Sequence, residues 1–166
     1  MNLIIAVDRN HGIGCKGTLL YHIPDDLRYF KEKTSGKVVV MGRGTLESLP
    51  NGKPLPNRIN VVLSRDTGFM PDGVIVCRSV DELFERLKSY DSNDVFIMGG
   101  ETVYNLLAEY CDFAFVTEID AESSADKFFH KVYDGERWGK IEEGEERECN
   151  GIRYRFCKYR NLKRSG

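Results

Sequence analysis

The sequence predicts an α/β fold: a single domain, 1–166, with a mostly parallel central β-sheet, an antiparallel C-terminal strand and helices on both faces. Three observations predict it. Short apolar, β-branched runs recur at 3–7, 37–41, 58–63, 73–77 and 94–98 with little polar alternation, as strands buried on both faces do. Helical patterns at 25–34, 43–49, 80–89 and 101–110 lie between several of these runs, which suits strand–helix–strand crossovers. The last third then changes character. Phe113 to Ile119 and Ile152 to Tyr159 read as strands with no strong helix between them, and the second alternates in polarity as an edge or antiparallel strand does. The acidic, glycine-containing stretch 134–150 reads as surface connections.

Bulk properties narrow the function. The chain has 166 residues, 41 % of them hydrophobic, enough for one core. A net charge of −2 gives no basic field to draw nucleic acid or anionic lipid. The longest apolar runs are far shorter than the roughly 20 residues a membrane helix needs. A strand-like run starts at once, so no signal peptide is expected and the location is expected to be cytoplasmic. Five scattered cysteines without a C-x-x-C pair suit thiols in a reducing compartment, and three histidines without ligand-like spacing suggest no metal site.

Gly12-Ile13-Gly14-Cys15-Lys16-Gly17 matches G-x-G-x-x-G and follows a strand. The dinucleotide fingerprint, however, needs a helix opening at the third glycine. Here Thr18 to Pro24 carry no helical pattern. The segment 12–20 reads instead as a glycine-hinged lid beside the first strand, or as an ordinary surface connection.

Two other junctions suit phosphates better. Val38 to Met41 runs through Gly42, Arg43 and Gly44 to Thr45, and Val95 to Met98 runs through Gly99 and Gly100 into a helix at Glu101. Glycine admits a ligand close to the backbone, and free N–H groups at a helix start favour an anion. Either junction alone equally suits tight packing. The two together, with Ser64-Arg65 past a third strand, point to a dinucleotide at the carboxyl edge of the sheet. Arg43 and Arg65 would clamp an extra phosphate, which favours NADP over NAD, or else are two solvated arginines.

Pro24-Asp25-Asp26-Leu27 opens a helix, with proline and acids where a first turn favours them. Ile23, Leu27, Phe30 and Thr34 form one stripe at helical spacing. Asp26 falls at its margin, while Asp25 points away as a solvated charge. A carboxylate against an apolar wall is costly unless it is functional, and it suits the amidine-like edge of a heterocycle. The alternative is a helix start with both acids wet.

The ordered strings Ala6-Val7-Asp8, Gly12-Ile13-Gly14, Ile23-Pro24-Asp25-Asp26-Leu27, Phe30-Lys31, Met41-Gly42-Arg43 with Thr45, Glu47 and Ser48, Pro54-Leu55-Pro56-Asn57-Arg58, Gly99-Gly100 with Val103-Tyr104, and Thr117-Glu118-Ile119-Asp120 together resemble bacterial dihydrofolate reductases of the Firmicutes type. The resemblance implies NADPH-dependent reduction of 7,8-dihydrofolate, with hydride to C6 and a proton to N5, in one-carbon metabolism. It implies that Asp26 holds the pteridine, with Thr117 behind it and Tyr21 beside the lid as a catalytic residue. Ala6, Leu19, Leu27, Phe30, Leu49, Leu55 and Met98 would line the substrate, and Arg58 would bind the α-carboxylate of the glutamate tail. By sequence alone, Arg58 is equally a surface charge. Ala6, Ile13, Gly14, Gly17, Gly42, Arg43, Gly44 and Thr45 would handle NADPH. So would Leu63, Ser64, Arg65, Met98, Gly99, Gly100, Glu101, Thr102, Val103 and Tyr104. Expected partners are dihydrofolate and antifolate-type small molecules, with the chain a monomer.

The sequence also departs from the family pattern. Tyr21 stands where many members have tryptophan and Leu20 where many have proline. His11 and an extra residue before Gly12 alter the lid's entry. Glu101 replaces a frequent small residue, and Asn2 occupies a strand position that is often apolar and near the pteridine. The nearest rival is a reductase of the same fold acting on a ribosylated pyrimidine, which would need no group for a glutamate tail. A non-catalytic pterin- or nucleotide-binding protein is the second rival, and it would not need Asp26.

Overall fold

The computed structural model describes residues 1–17 and 19–164. Its strands and α-helices, in chain order, are β1 (Asn2–Val7), β2 (Gly12–Gly14), α1 (Pro24–Thr34), β3 (Val38–Gly42), α2 (Arg43–Ser48), β4 (Ile59–Leu63), β5 (Ile75–Cys77), α3 (Val80–Leu87), β6 (Val95–Ile97), α4 (Glu101–Leu107), β7 (Phe113–Asp120), β8 (Lys127–Phe128), β9 (Trp138–Glu143), β10 (Arg147–Cys149) and β11 (Ile152–Asn161).

Among the described residues one large sheet runs in the order β10-β11-β7-β1-β6-β3-β4-β5, with β9 also paired to β11. β7, β1, β6, β3, β4 and β5 are mutually parallel, and β11 is antiparallel to β7. The alternation of side chains sorts β1 between two cores. Leu3, Ile5 and Val7 pack with Leu83 and Leu87 of α3 and Val103 and Leu107 of α4. Ile4 packs with Leu46 of α2 and the half-buried Phe30 of α1. Helices therefore cover both faces, which is why the parallel strands read as unbroken apolar runs.

Two segments differ from expectation. The stretch 134–150 contains two strands, β9 and β10, both on the outer edge of β11. Most of their residues are exposed, so neither writes an apolar alternation into the sequence. The glycine-rich segment after β1 likewise begins with a strand, since β2 pairs with β8. Gly12 is forced there: a Cβ would stand 2.5 Å from the Ala125 side chain and 2.8 Å from an Asp8 carboxylate oxygen. Asp8 ties this turn together, its Oδ1 accepting from the backbone N–H of Asn10 and Gly12 and its Oδ2 from the Ser123 hydroxyl.

Candidate active site

Asp26 sits in the first turn of α1, over the carboxyl half of β7. Its Oδ1 accepts a 2.6 Å hydrogen bond from the Thr117 hydroxyl. Thr117 pairs in register with Ala6 on β1 and with Phe156 on β11, so the carboxylate stands above the centre of the sheet. Burial pushes the Asp26 carboxyl above the usual range, and the Thr117 bond only partly opposes it. Among the described residues it has no salt-bridge partner.

Asp25 behaves differently from the solvated charge expected. It accepts from Arg28 at 3.0 Å, from Arg147 at 3.1 Å and from the Tyr154 hydroxyl at 3.0 Å. These partners, led by Tyr154, hold its carboxyl below the ordinary range. Adjacent aspartates thus meet opposite surroundings.

An apolar wall continues from Asp26. Phe30 of α1, Leu49 after α2 and Leu55 are half-buried in one cluster, with Met98 beside them. Leu27 stays 42 % exposed and Leu19 65 % exposed, so apolar surface remains open next to the carboxylate. Arg58 closes the far end of α1. Its Nε donates to the Pro56 carbonyl at 2.9 Å and its Nη1 to the Thr34 hydroxyl at 3.1 Å. Among the described residues it makes no ion pair, and burial lowers its affinity for its proton. A guanidinium held by neutral acceptors is open to an anion.

The two glycine junctions meet. Gly42 N–H donates to the Gly99 carbonyl at 2.9 Å, and Met98 N–H to that of Val40 at 2.9 Å. The Gly99–Gly100 peptide is cis, and Gly99 has φ 123°. A Cβ on Gly99 would press on the Tyr104 ring at 3.3 Å, and one on Gly100 would reach the Thr45 hydroxyl at 3.5 Å. Gly42 is equally constrained, by Val103 at 3.1 Å. Tyr104 runs beneath, its hydroxyl donating to the Ile4 carbonyl at 2.7 Å. Val103 and Tyr104 are buried, whereas Thr102 faces solvent. The starts of α2 and α4 therefore stand side by side with Thr45 between them.

The arginines expected to clamp a phosphate differ. Arg43 is engaged by Glu47 at 2.6 Å and Asp66 at 2.7 Å, and its guanidinium lies 4.5 Å from the centre of the Phe69 ring. Arg65 is exposed and makes no ion pair among the described residues. Leu63 ends β4, and Ser64 follows with its N–H on the Cys77 carbonyl. Sequence reasoning missed two residues here. Asp66 shares Arg43, and Arg78 holds the loop by donating to the carbonyls of Asp66 and Phe69. Arg78 just past β5 was a signal, because it stands at the same carboxyl edge as Ser64.

In the segment expected to be a lid, the Gly14 carbonyl accepts from the N–H of Asp126 and the Lys16 backbone N–H donates to the Asp126 carboxylate, while Ile13 packs against the core. Gly17 has φ 78°, and Thr18 lies outside the described residues. The Tyr21 hydroxyl is committed to the Glu122 carbonyl at 2.8 Å. Glu101 turns to the backbone N–H of Phe128, which accounts for an acid beside the glycine pair. His11, with φ 65°, stacks on Tyr133 and shares a 2.9 Å hydrogen bond with His130. The expectation for Asn2 is corrected. It lies at the amino end of β1, away from the carboxyl edge, and donates to the carbonyls of Asn93 and Val95.

Comparison with known proteins gives a concordant result. The sequence profile of the dihydrofolate reductase family matches residues 1–161. A dihydrofolate reductase of Staphylococcus aureus is 36 % identical over 158 residues, covering 94 % of each chain. That of Bacillus subtilis is 34 % identical over 161 residues, covering 96 % of this chain and 93 % of its own. A solved dihydrofolate reductase from Enterococcus faecalis, complexed with NADP(H) and RAB-propyl, superimposes with a TM-score of 0.86 at 33 % identity, over 98 % of this chain and 96 % of that one.

Proposed function

The chain belongs to the dihydrofolate reductase family, and on that premise we propose how its residues divide the work of the reaction. The enzyme is an oxidoreductase that reduces dihydrofolate with NADPH. The observation that carries our reading of the site is the Asp26–Thr117 pair: a carboxylate against an apolar wall with one neutral partner.

Asp26 receives the pteridine's amidine-like edge, and Thr117 keeps the carboxylate turned to it. An ionised Asp26 accepts from the N–H donors of that edge, favours the electronic form in which N5 takes its proton, and assists the proton's delivery by water. Leu19, Leu27, Phe30, Leu49 and Leu55 cover the rings and exclude bulk water, with Ala6 and Met98 beneath. Arg58 takes the tail's α-carboxylate, for which its free donors suit. Tyr21 closes the lid side and keeps its hydroxyl on Glu122.

The residues present fit NADPH. Side chains at Gly42 and Gly99 would press on Val103 and Tyr104, and Gly99 has a positive φ, so bare backbone is retained where two helices begin. Gly42, Gly44, Thr45, Gly99, Gly100, Glu101, Thr102, Val103 and Tyr104 would hold the pyrophosphate and its surroundings. Arg43, Leu63, Ser64 and Arg65 would hold the adenosine end, and Ile13, Gly14 and Gly17 would cover the nicotinamide. When bound, NADPH supplies the hydride. We read the enzyme as a cytoplasmic, single-domain monomer. The free, buried thiols of Cys77, Cys111 and Cys157 support a reducing compartment.

The purified chain, given NADPH and dihydrofolate, is expected to consume NADPH absorbance, with NADH a much poorer donor. Absence of that loss overturns the reading.

A further inference from the structure

The two carboxylates of the first turn of α1 are each held by a hydroxyl from the sheet below. Thr117 of β7 holds Asp26 and Tyr154 of β11 holds Asp25. Tyr154 pairs with Ile119 and Phe156 with Thr117, so Tyr154, Phe156 and Thr117 stand on one face of adjacent strands. Tyr29 stacks on Phe156 with ring centres 4.2 Å apart, extending this row of contacts along the helix. Arg147 of β10 adds a third hold: its guanidinium bonds Asp25 and lies 5.3 Å from the centre of the Phe156 ring.

Apolar packing already seats the helix start: Ile23, at the cap, is buried against Ile119 and Tyr154. It offers no side-chain hydrogen bond, so the polar ties of the first turn fall to the two aspartates. Asp25 is the one acidic group there on which donors converge from the helix and from two strands. Its ion pairs are partly exposed, so their contribution to stability is small and their effect is mainly geometric. One peptide links Asp25 to Asp26, so what shifts one shifts the other.

We propose that Tyr154, Asp25 and Arg147 are positioning residues for the reduction, locking the first turn of α1 onto β11 and so fixing Asp26 against Thr117 and the pteridine. This rests on the reading of Asp26 given above. The charged and titratable groups around Asp26 are Tyr29 on its own helix, Tyr104 from α4, and Asp25 with Arg28, Arg147 and Tyr154. Glu142 of β9 acts on Tyr29. Loosening the turn admits water to Asp26 and weakens the desolvation that dominates its proton affinity.

The test uses Tyr154→Phe, Asp25→Asn and Arg147→Gln in the whole enzyme. The readouts are the carboxyl titration of Asp26 by NMR and the separate KM and kcat. Tyr154→Phe is expected to lower the Asp26 midpoint and raise the dihydrofolate KM about threefold to tenfold, with kcat and the NADPH KM changed less. Asp25→Asn keeps an acceptor for Tyr154 and is expected to fall between. Arg147→Gln, at an exposed side chain, reads the same quantities should Tyr154→Phe fold poorly. An unmoved Asp26 midpoint and dihydrofolate KM in Arg147→Gln, and in any folded Tyr154→Phe, overturn the proposal even if Tm falls. Asp26→Asn separates the two ideas. Retained activity there removes the role of Asp26, while the NMR titration still reports whether the tie positions it.

Discussion

At the α1 end of the molecule, Asp26 over the carboxyl edge has one neutral partner, and Arg58, just before the amino end of β4, has none of opposite charge among the described residues. At the α2 end, Arg43 is already bonded to two carboxylates, Glu47 and Asp66. The same two charge types are thus prepared in opposite ways. The α1 end keeps its charges without counterions, which costs stability and leaves the interaction to a ligand. The α2 end satisfies the Arg43 guanidinium internally while Arg65 has no ion pair among the described residues, so a phosphate held there as proposed would compete with Glu47 and Asp66 for Arg43. The difference predicts large mutational effects at the first end and small, bidirectional ones at the second.

The largest effect is expected from Asp26→Asn. Activity at neutral pH should fall about a hundredfold, and less in acid, where the substrate carries its own proton. Stability should move the other way. Burial holds the Asp26 carboxyl up, so the folded protein binds this proton more tightly than the unfolded chain. Such a group stabilises most below its unfolded value, and that contribution is lost as pH rises through the folded one. Above both values the ionised carboxylate is a net cost, which asparagine removes. Thermal unfolding at neutral pH should shift up by about 2–4 °C if the cost is about 1 kcal/mol. A variant with wild-type turnover across pH removes Asp26 from the chemistry. An unchanged or lower Tm removes the claim that the α1 end carries a cost.

Arg58→Ala comes next. Loss of a charge-assisted bond to the tail carboxylate should raise the dihydrofolate KM about tenfold or more with little change in kcat. A pteridine substrate without the glutamate tail serves as control, since its KM should not respond. An equal response to both substrates would return Arg58 to being a strut between Thr34 and Pro56.

What the sequence disclosed follows the same division. The strands β1, β3, β4 and β6 were readable because burial on both faces writes an unbroken apolar run. The glycine junctions were readable because strand–glycine–helix is local. Helical phase favoured Asp26 over Asp25 for the apolar side, left both acids wet as an alternative, and put Asp25 in solvent, where the structure gives it three donors. The partners of Asp25 could not be found, because Arg147 and Tyr154 lie 122 and 129 residues away and exposed β10 has no alternation to mark it. Glu47 sits one turn after Arg43, but Asp66 arrives from 23 residues away, across β4. Tyr21 likewise finds its acceptor 101 residues on. Periodicity reports which face a residue occupies, and long-range polar pairing is written in no period.

The smallest predicted effects are the most direct test of the α2 end. Arg43→Ala should reduce discrimination between NADPH and NADH, measured as the ratio of their dissociation constants. Asp66→Asn should act in the opposite sense. It frees Arg43 from one of its two carboxylates and removes a negative charge from beside an incoming 2′-phosphate, so NADPH should bind about twofold to fivefold tighter, with NADH little changed. Because these groups are exposed, the gain should shrink as salt is raised toward a Debye length of about 3 Å at 1 M. Binding of 2′,5′-ADP gives the same comparison without the nicotinamide and without turnover. If Asp66→Asn instead weakens NADPH, the carboxylate is orienting Arg43 toward the phosphate rather than competing with it, and the α2 end is preorganised like the α1 end after all.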